Sequence, residues 1–384
     1  MDERTTNTDV MDRRRFVAGL SALGAVGLAG CGSAGNGDTG GNGGNGGDGT
    51  DSDIDQIGSG REGRDAPGGT PIAEMPDLEG ELTVYSGRGE FLVGELVEYI
   101  ESQYDDFSLT VRYGGSTDLV NQIANEGDGS PADVFYSVNA GALGALADEG
   151  RTQTLSEEIT GMVRGEFRTE EWIGTSGRAR TVPYNTDAYS AEDLPSDIMV
   201  YPDEFDGTLG WAPSYGSCQA FITAMRILEG DEATREWLNG VVEAGIQAYP
   251  DEFAACQAVA DGEIDAAFTN HYYIQRVLDG SPEASIDTAF TQGDAGAVFN
   301  VAGAAVVDTA SDTTLAENFV RHLLSAESQD YFARSTFEYP LIPDVEPVGD
   351  LPTIDELDVP DIDLTQLSNL EATVDLMRDV GIEI

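Results

Sequence analysis

Lysine is absent from this 384-residue chain. Its 19 basic residues are all arginine and stand against 71 acidic ones, a formal net charge of −52. With no basic patch there is no electrostatic footprint for nucleic acid, which is excluded as a partner. At ordinary ionic strength such a charge repels itself and loosens a fold. At about 1 M salt the Debye length falls to roughly 3 Å and the repulsion is screened. The acids are spread over the whole length rather than gathered on one acidic functional face, and an apolar fraction of 40% permits a normal core. The composition therefore points to a salt-loving source. Histidine is scarce as well, with only His271 and His322. No GxSxG, HExxH or SxxK arrangement and no P-loop is present, so nothing favours an enzyme. Three cysteines allow one disulfide at most: with Cys31 accounted for below, Cys218 and Cys256 form either one bridge or two buried thiols.

A long apolar run is also missing. Asp12-Arg13-Arg14-Arg15-Phe16 precedes a short stretch of small residues and leucine over 17–30. The stretch is too short to cross a bilayer as a helix and reads as a twin-arginine export signal. Leu28-Ala29-Gly30-Cys31 has the form of a lipobox, with Cys31 as the lipidated residue of the mature protein. The segment 32–79 is rich in Gly, Asp, Asn and Ser and reads as a flexible tether. The expected product is a domain leashed by a lipid to the extracellular face of the cell membrane.

From residue 80 onward, strand-like and helix-like segments alternate. Strands are expected over 82–85, 109–113 and 132–136, with helices over 90–103, 117–125 and 140–148; Phe91, Leu92, Leu96, Val97 and Ile100 are read as the inward face of the first helix. The alternation argues for an α/β fold with a mostly parallel sheet flanked by helices. A polar strand over 178–184 crosses to a second α/β unit, built from a strand over 209–212, helices over 219–228 and 231–244, and a strand over 264–268. The stretch 297–307 returns the chain, and helices are expected over 315–324, 326–334 and 364–380. The predicted fold is a two-lobed α/β clamshell, each lobe a mostly parallel sheet flanked by helices, joined by crossing hinge strands. Residues 1–31 are the signal with its lipobox and 32–79 the tether. Lobe one takes 80–180, lobe two 181–296, and 297–384 returns to lobe one and the C-terminal helices.

Four strand ends are rich in hydroxyls, phenols or amides: 85–90, 136–139, 213–217 and Asn270-His271-Tyr272-Tyr273. Ligands of open α/β sheets bind beyond the carboxyl ends of strands. Helix N-termini there offer free N–H groups to an anion. Adjacent phenols in a regular strand point to opposite faces, one packed and one exposed. They meet one ligand only at an irregular strand-to-helix corner. A purely structural surface protein has no use for so many polar strand ends.

Ser130-Pro131-Ala132-Asp133-Val134-Phe135-Tyr136, Ser176-Gly177-Arg178-Ala179-Arg180, the stretch 258–267, Asn270-His271-Tyr272-Tyr273 and Glu338-Tyr339-Pro340-Leu341 together resemble the ferric-iron-binding proteins of bacterial ABC importers. The resemblance spans nearly all of 80–384. It implies that Tyr272 and Tyr273 bind Fe³⁺ as phenolates, hard anionic oxygens suited to a hard cation. It also implies a synergistic anion such as phosphate or carbonate, with Asn139, Ser214, Gly216, Ser217 and Asn270 as the anion- or ligand-binding set. A monomer would hand its iron to an ABC permease with an ATPase subunit. The chain departs from the family pattern where many members carry a histidine ligand, here Gly89, and a glutamate ligand, here Val138. Glu90 or Tyr215 is then the next metal ligand, and His271 packs or faces away. The alternative keeps the fold and changes the solute to an organophosphonate, a thiamine-like cation, a polyamine or an oxyanion.

Overall fold

The computed structural model describes Ile57 and residues 67–384. The export signal, Cys31 and most of the expected tether lie outside the described residues. The first βα units are β1 (Gly80–Ser86), α1 (Glu90–Ser102), β2 (Phe107–Tyr113), α2 (Ser116–Glu126), β3 (Val134–Ser137) and α3 (Ala140–Asp148). After the short α4 (Glu157–Thr160) comes the long β4 (Ile173–Asn185). The chain continues through α5 (Tyr201–Glu204), β5 (Leu209–Trp211), α6 (Gly216–Glu229), α7 (Asp231–Glu243), β6 (Gln247–Ala248) and α8 (Glu252–Ala260). Next are β7 (Ala266–Ala267), β8 (Thr269–Asn270), α9 (His271–Gly280), β9 (Ile286–Ala289) and β10 (Phe299–Val306). The chain closes with α10 (Thr313–His322), α11 (Ala326–Tyr331), β11 (Tyr339–Pro340) and α12 (Glu371–Asp379).

Among the described residues the strands order as β2-β1-β3-β10-β4-β7-β5-β6, with β8, β9 and β11 also on β4. Within each wing the pairing is parallel: β1 with β2 and β3, and β5 with β6 and β7. The antiparallel pairs gather on β4 and β10. The first half of β4 pairs with β10 and β11, and the second half, from Arg180, with β8, β9 and β7. The strand expected to cross between the two α/β units therefore does so, and its partners change at Ala179–Arg180. This is the mixed α/β architecture of type II periplasmic binding proteins.

Four expectations need correction. Phe91 is not on the inward face of α1 but is 85% exposed, while Val93, Leu96, Val97 and Ile100 are buried. The strand expected over 264–268 shrinks to β7, Ala266–Ala267; it stops at Phe268, whose N–H bonds the Gly210 carbonyl at 3.0 Å, and β8 begins at Thr269. The last helix breaks into a 3₁₀ turn over Leu364–Ser368 and the separate α12. That turn lies so tightly on α3 that a Cβ at Gly141 would fall 1.9 Å from Ser368 Oγ, which only glycine accommodates. The helix expected over 326–334 is α11 followed by a π-helical turn, Phe332–Thr336, and a left-handed Phe337. Of the two cysteine alternatives the structure has the thiols: Cys218 and Cys256 are free and buried, and burial pushes both up to about 12.

His322, at the end of α10, is fully buried. Its Nδ1–H donates to the Asn318 carbonyl at 2.6 Å, so Nε2 accepts from the Tyr104 hydroxyl, also at 2.6 Å. Burial pushes its pKa down to about 4, against about 6.5 when unfolded. The neutral ring's contribution is complete above pH 6.5 and is lost as pH falls towards 4, by about 3 kcal/mol at most. The difference in unfolding free energy between wild type and His322→Gln should narrow over that interval in denaturant titrations.

Candidate metal centre

The Asn270 backbone is extended (φ −84°, ψ 145°), and the chain turns directly into α9. His271, Tyr272 and Tyr273 are thus the first three residues of a helix and leave its axis in different directions. His271 turns into the core. Tyr272 and Tyr273 line one cleft of about 390 Å³, their ring centroids 4.3 Å apart. The irregular corner needed for adjacent phenols to share a ligand is present. Tyr215, N-cap of α6, closes the group: its hydroxyl lies 2.7 Å from that of Tyr273. Asn270 Nδ2 donates to the Tyr272 hydroxyl at 3.5 Å.

Tyr272 and Tyr273 are biased towards the protonated phenol. Burial pushes Tyr272 up, with the Arg178 charge pulling partly the other way. Burial also pushes Tyr273 up, reinforced by Tyr272 and by its hydrogen bond to Tyr215. Only a strong Lewis acid would ionise them near neutral pH. Arg88, Arg178, Arg180 and Arg276 line the cleft, and Glu338 is the one carboxylate among the described lining residues. Glu338 is already engaged, accepting from Arg88 at 2.6 Å and from Thr336 at 2.9 Å. Arg276 stacks over both phenol rings, 5.0 and 5.4 Å from their centroids. In a chain of net charge −52 the cleft is locally cationic.

The structure brings Tyr272, Tyr273, Tyr215, Asn139, Gly216, Ser217 and Asn270 to this cleft. It does not bring Glu90 or Ser214, which are both exposed and outside the lining. Glu90 opens α1 towards solvent while its neighbour Phe91 takes the cleft side. Several of the polar residues already have structural duties. Asn139 Oδ1 caps α3 by accepting from the Ala142 N–H at 2.9 Å. Ser217 Oγ gives its proton to Glu252 at 2.6 Å. The sequence reading missed Arg178, Arg276 and Glu252. Arg276 had a signal, since it follows Tyr272 and Tyr273 by four and three residues on one helix face. Glu252 had none. Among the described residues no group of three His, Cys, Asp or Glu side chains is placed to hold a metal ion.

Glu252 supports the centre from behind. Fully buried, it accepts from Arg180 at 2.5 Å, from Ser217, and from the Asn270 N–H at 3.0 Å. It therefore ties the crossing strand, the start of α6 and the start of α9 together. Glu252→Ala would leave Arg180, 3% exposed, without its counter-charge, and should cost about 3–5 kcal/mol in denaturant unfolding. Glu252→Gln keeps an accepting oxygen and should cost less.

Residues 95–356 match the family described as bacterial extracellular solute-binding protein. The major ferric iron-binding protein of Neisseria meningitidis serogroup A is 30% identical over 311 residues, covering 79% of this chain and 93% of that one. The Fe(3+)-binding periplasmic protein of Serratia marcescens is 26% identical over 317 residues, covering 81% and 93%. Iron-bound HitA from Pseudomonas aeruginosa has a TM-score of 0.69 at 30% identity, over 79% of this chain and 99% of that one. A Trichodesmium protein in complex with iron and citrate ligands gives 0.69 at 25% identity, over 79% and 100%. These relatives are binding proteins rather than enzymes. The family match over 95–356 and the 30% identity to a ferric iron-binding protein over 79% of this chain show that the chain belongs to the bacterial extracellular solute-binding protein family, alongside its ferric iron-binding members.

Proposed function

We propose that this chain captures ferric iron outside the cell for an ABC importer. The observation that carries the reading is the convergence of Tyr215, Tyr272 and Tyr273 in one cleft. Fe³⁺ displaces the phenol protons and takes Tyr272 and Tyr273 as phenolates, with Tyr215 as the third protein ligand in preference to the outlying Glu90. Protons are released on loading, so affinity rises with pH. A small anion such as phosphate or carbonate fills further positions, and the Trichodesmium relative holds citrate with its iron. Arg178, Arg276 and Asn139 face that place, and Gly216 opens α6 there. The lobes close about β4 and β10, and the loaded monomer passes iron to a permease driven by an ATPase subunit.

Metal analysis of protein purified in molar salt, with its visible spectrum, tests the reading. Iron-loaded protein should be coloured by phenolate-to-iron charge transfer, and small-angle scattering should give a smaller radius of gyration with iron than without. A colourless iron-treated protein of unchanged radius sinks it. The same arginines then favour a second reading, an organophosphonate or oxyanion in this cleft, over a thiamine-like cation or a polyamine.

Export and anchoring belong to the same proposal. The twin arginines take the folded protein across the membrane, and lipid on Cys31 holds it at the extracellular face. Cys31→Ala should move the protein from the membrane fraction to the medium with its iron binding intact. Retention of that variant in the membrane fraction would count against the anchor.

A further inference from the structure

His271 is fully buried and none of the roles above uses it. Its Nε2 lies 2.8 Å from the Phe337 carbonyl. Nδ1 lies 3.2 Å from the Ala179 nitrogen and 3.3 Å from the Ala179 carbonyl oxygen; the much shorter contact to Phe337, a carbonyl that only accepts, puts the ring proton on Nε2, so Nδ1 accepts from the Ala179 N–H. Ala179 is where β4 changes partners. Just beyond it, Arg180 pairs with Asn270, the last residue of β8. The backbone ladder stops there because the chain turns into α9, and the His271 side chain supplies the next acceptor in its place.

The other contact is equally particular. Phe337 is the non-glycine residue with positive φ (60°) among the described residues, and it follows the π-helical turn Phe332–Thr336. Such a backbone persists only when its surroundings hold it, and π turns frequently mark functional sites. The next residue, Glu338, accepts from Arg88 at 2.6 Å and from Ser176 at 3.1 Å. Arg88 follows β1, on the opposite wall of the cleft from the tyrosines. His271 therefore touches both the crossing strand and the segment that anchors the facing wall, one residue before the phenols.

We propose that His271 is a positioning residue that sets the direction in which α9 leaves the crossing strand and ties the tyrosine pair, through Phe337 and Glu338, to the facing wall. For its affinity readout this rests on the ferric reading; for its structural readout it does not. The test compares His271→Ala, which removes both bonds, with His271→Gln, which keeps a donor near Nε2, and His271→Asn, which keeps an acceptor near Nδ1. Amide hydrogen exchange is measured on unloaded protein in molar salt. Ferric dissociation is measured by competition with citrate.

His271→Ala should exchange faster at Ala179, Glu338 and the first turn of α9, with β1 and α3 unchanged. It should also bind iron about 10–100-fold more weakly, the usual cost of losing a group that orients metal ligands, with a displaced charge-transfer band. His271→Gln should keep protection at Glu338 and lose it at Ala179, and His271→Asn the reverse. If His271→Ala does not fold, those two variants carry the test. Wild-type exchange at both positions in both variants overturns the proposal. A wild type that takes no iron removes the ferric reading and leaves the exchange result to decide His271 alone.

Discussion

The double substitution Tyr272→Phe/Tyr273→Phe is expected to abolish both ferric binding and its visible colour while the fold survives. Phenylalanine keeps the rings, 8% and 5% exposed in the tyrosines, and so keeps the packing on the core beneath α9. What is lost is two of the three phenol oxygens. The stability cost is small, on the order of 1 kcal/mol per hydrogen bond removed, because the partners are another hydroxyl, Tyr215, and a long contact from Asn270. Each single substitution should weaken iron by more than the roughly 10–100-fold typical of losing an outer-shell partner. Tyr215→Phe should fall between the singles and wild type if Tyr215 is the third ligand. Isothermal titration against a ferric chelate, read together with the absorption band, separates these cases. A double variant that binds ferric iron as tightly as wild type would falsify the tyrosine assignment.

Lowering the salt from molar to tenth-molar should unfold or visibly loosen the domain. Even if every arginine paired with one carboxylate, 71 − 19 = 52 acidic groups would remain uncompensated. Many of the arginines are already used: Arg88, Arg180 and Arg334 in buried pairs, and Arg226, Arg235 and Arg321 in surface ones. Repulsion among the remaining acids is screened over roughly 3 Å at 1 M salt but reaches about 10 Å at 0.1 M, the scale of spacing between surface side chains. The thermal midpoint should therefore drop steeply with dilution, and more salt should restore it. An unchanged midpoint across that range would remove the salt-adaptation reading and leave the binding site untouched. The buried pairs should be far less sensitive to salt, because solvent ions do not reach them.

How much of this could be read in advance differs from one residue to the next. Helix α3 falls on the expected 140–148, because the asparagine cap sets its start and the left-handed Gly150 (φ 66°) follows its end. The tyrosine corner was also legible: Asn270 ends one short strand and the next residue opens a helix, a change the local pattern carries. Phe91 was misread because helical periodicity assigns a face without saying where a neighbouring cleft interrupts the core. The break before α12 was missed for a similar reason. Nothing between 364 and 380 signals that α3 approaches so closely that Gly141 and Gly144 have no room for a side chain.

By itself the sequence determined the order of strands and helices, the acidic surface, the adjacent phenols and the family, since each of these is carried by neighbouring residues or by composition. The third phenol was decided elsewhere. Tyr215 and Tyr273 are 58 residues apart and meet because β5 lies two strands from β4, which aims the start of α6 at the start of α9. Glu252 became the support of the centre, and His271 its tie to the crossing strand, for the same reason. Strand order, register and the phase of a helix's first turn choose which distant side chains share a volume, and no local pattern contains that information.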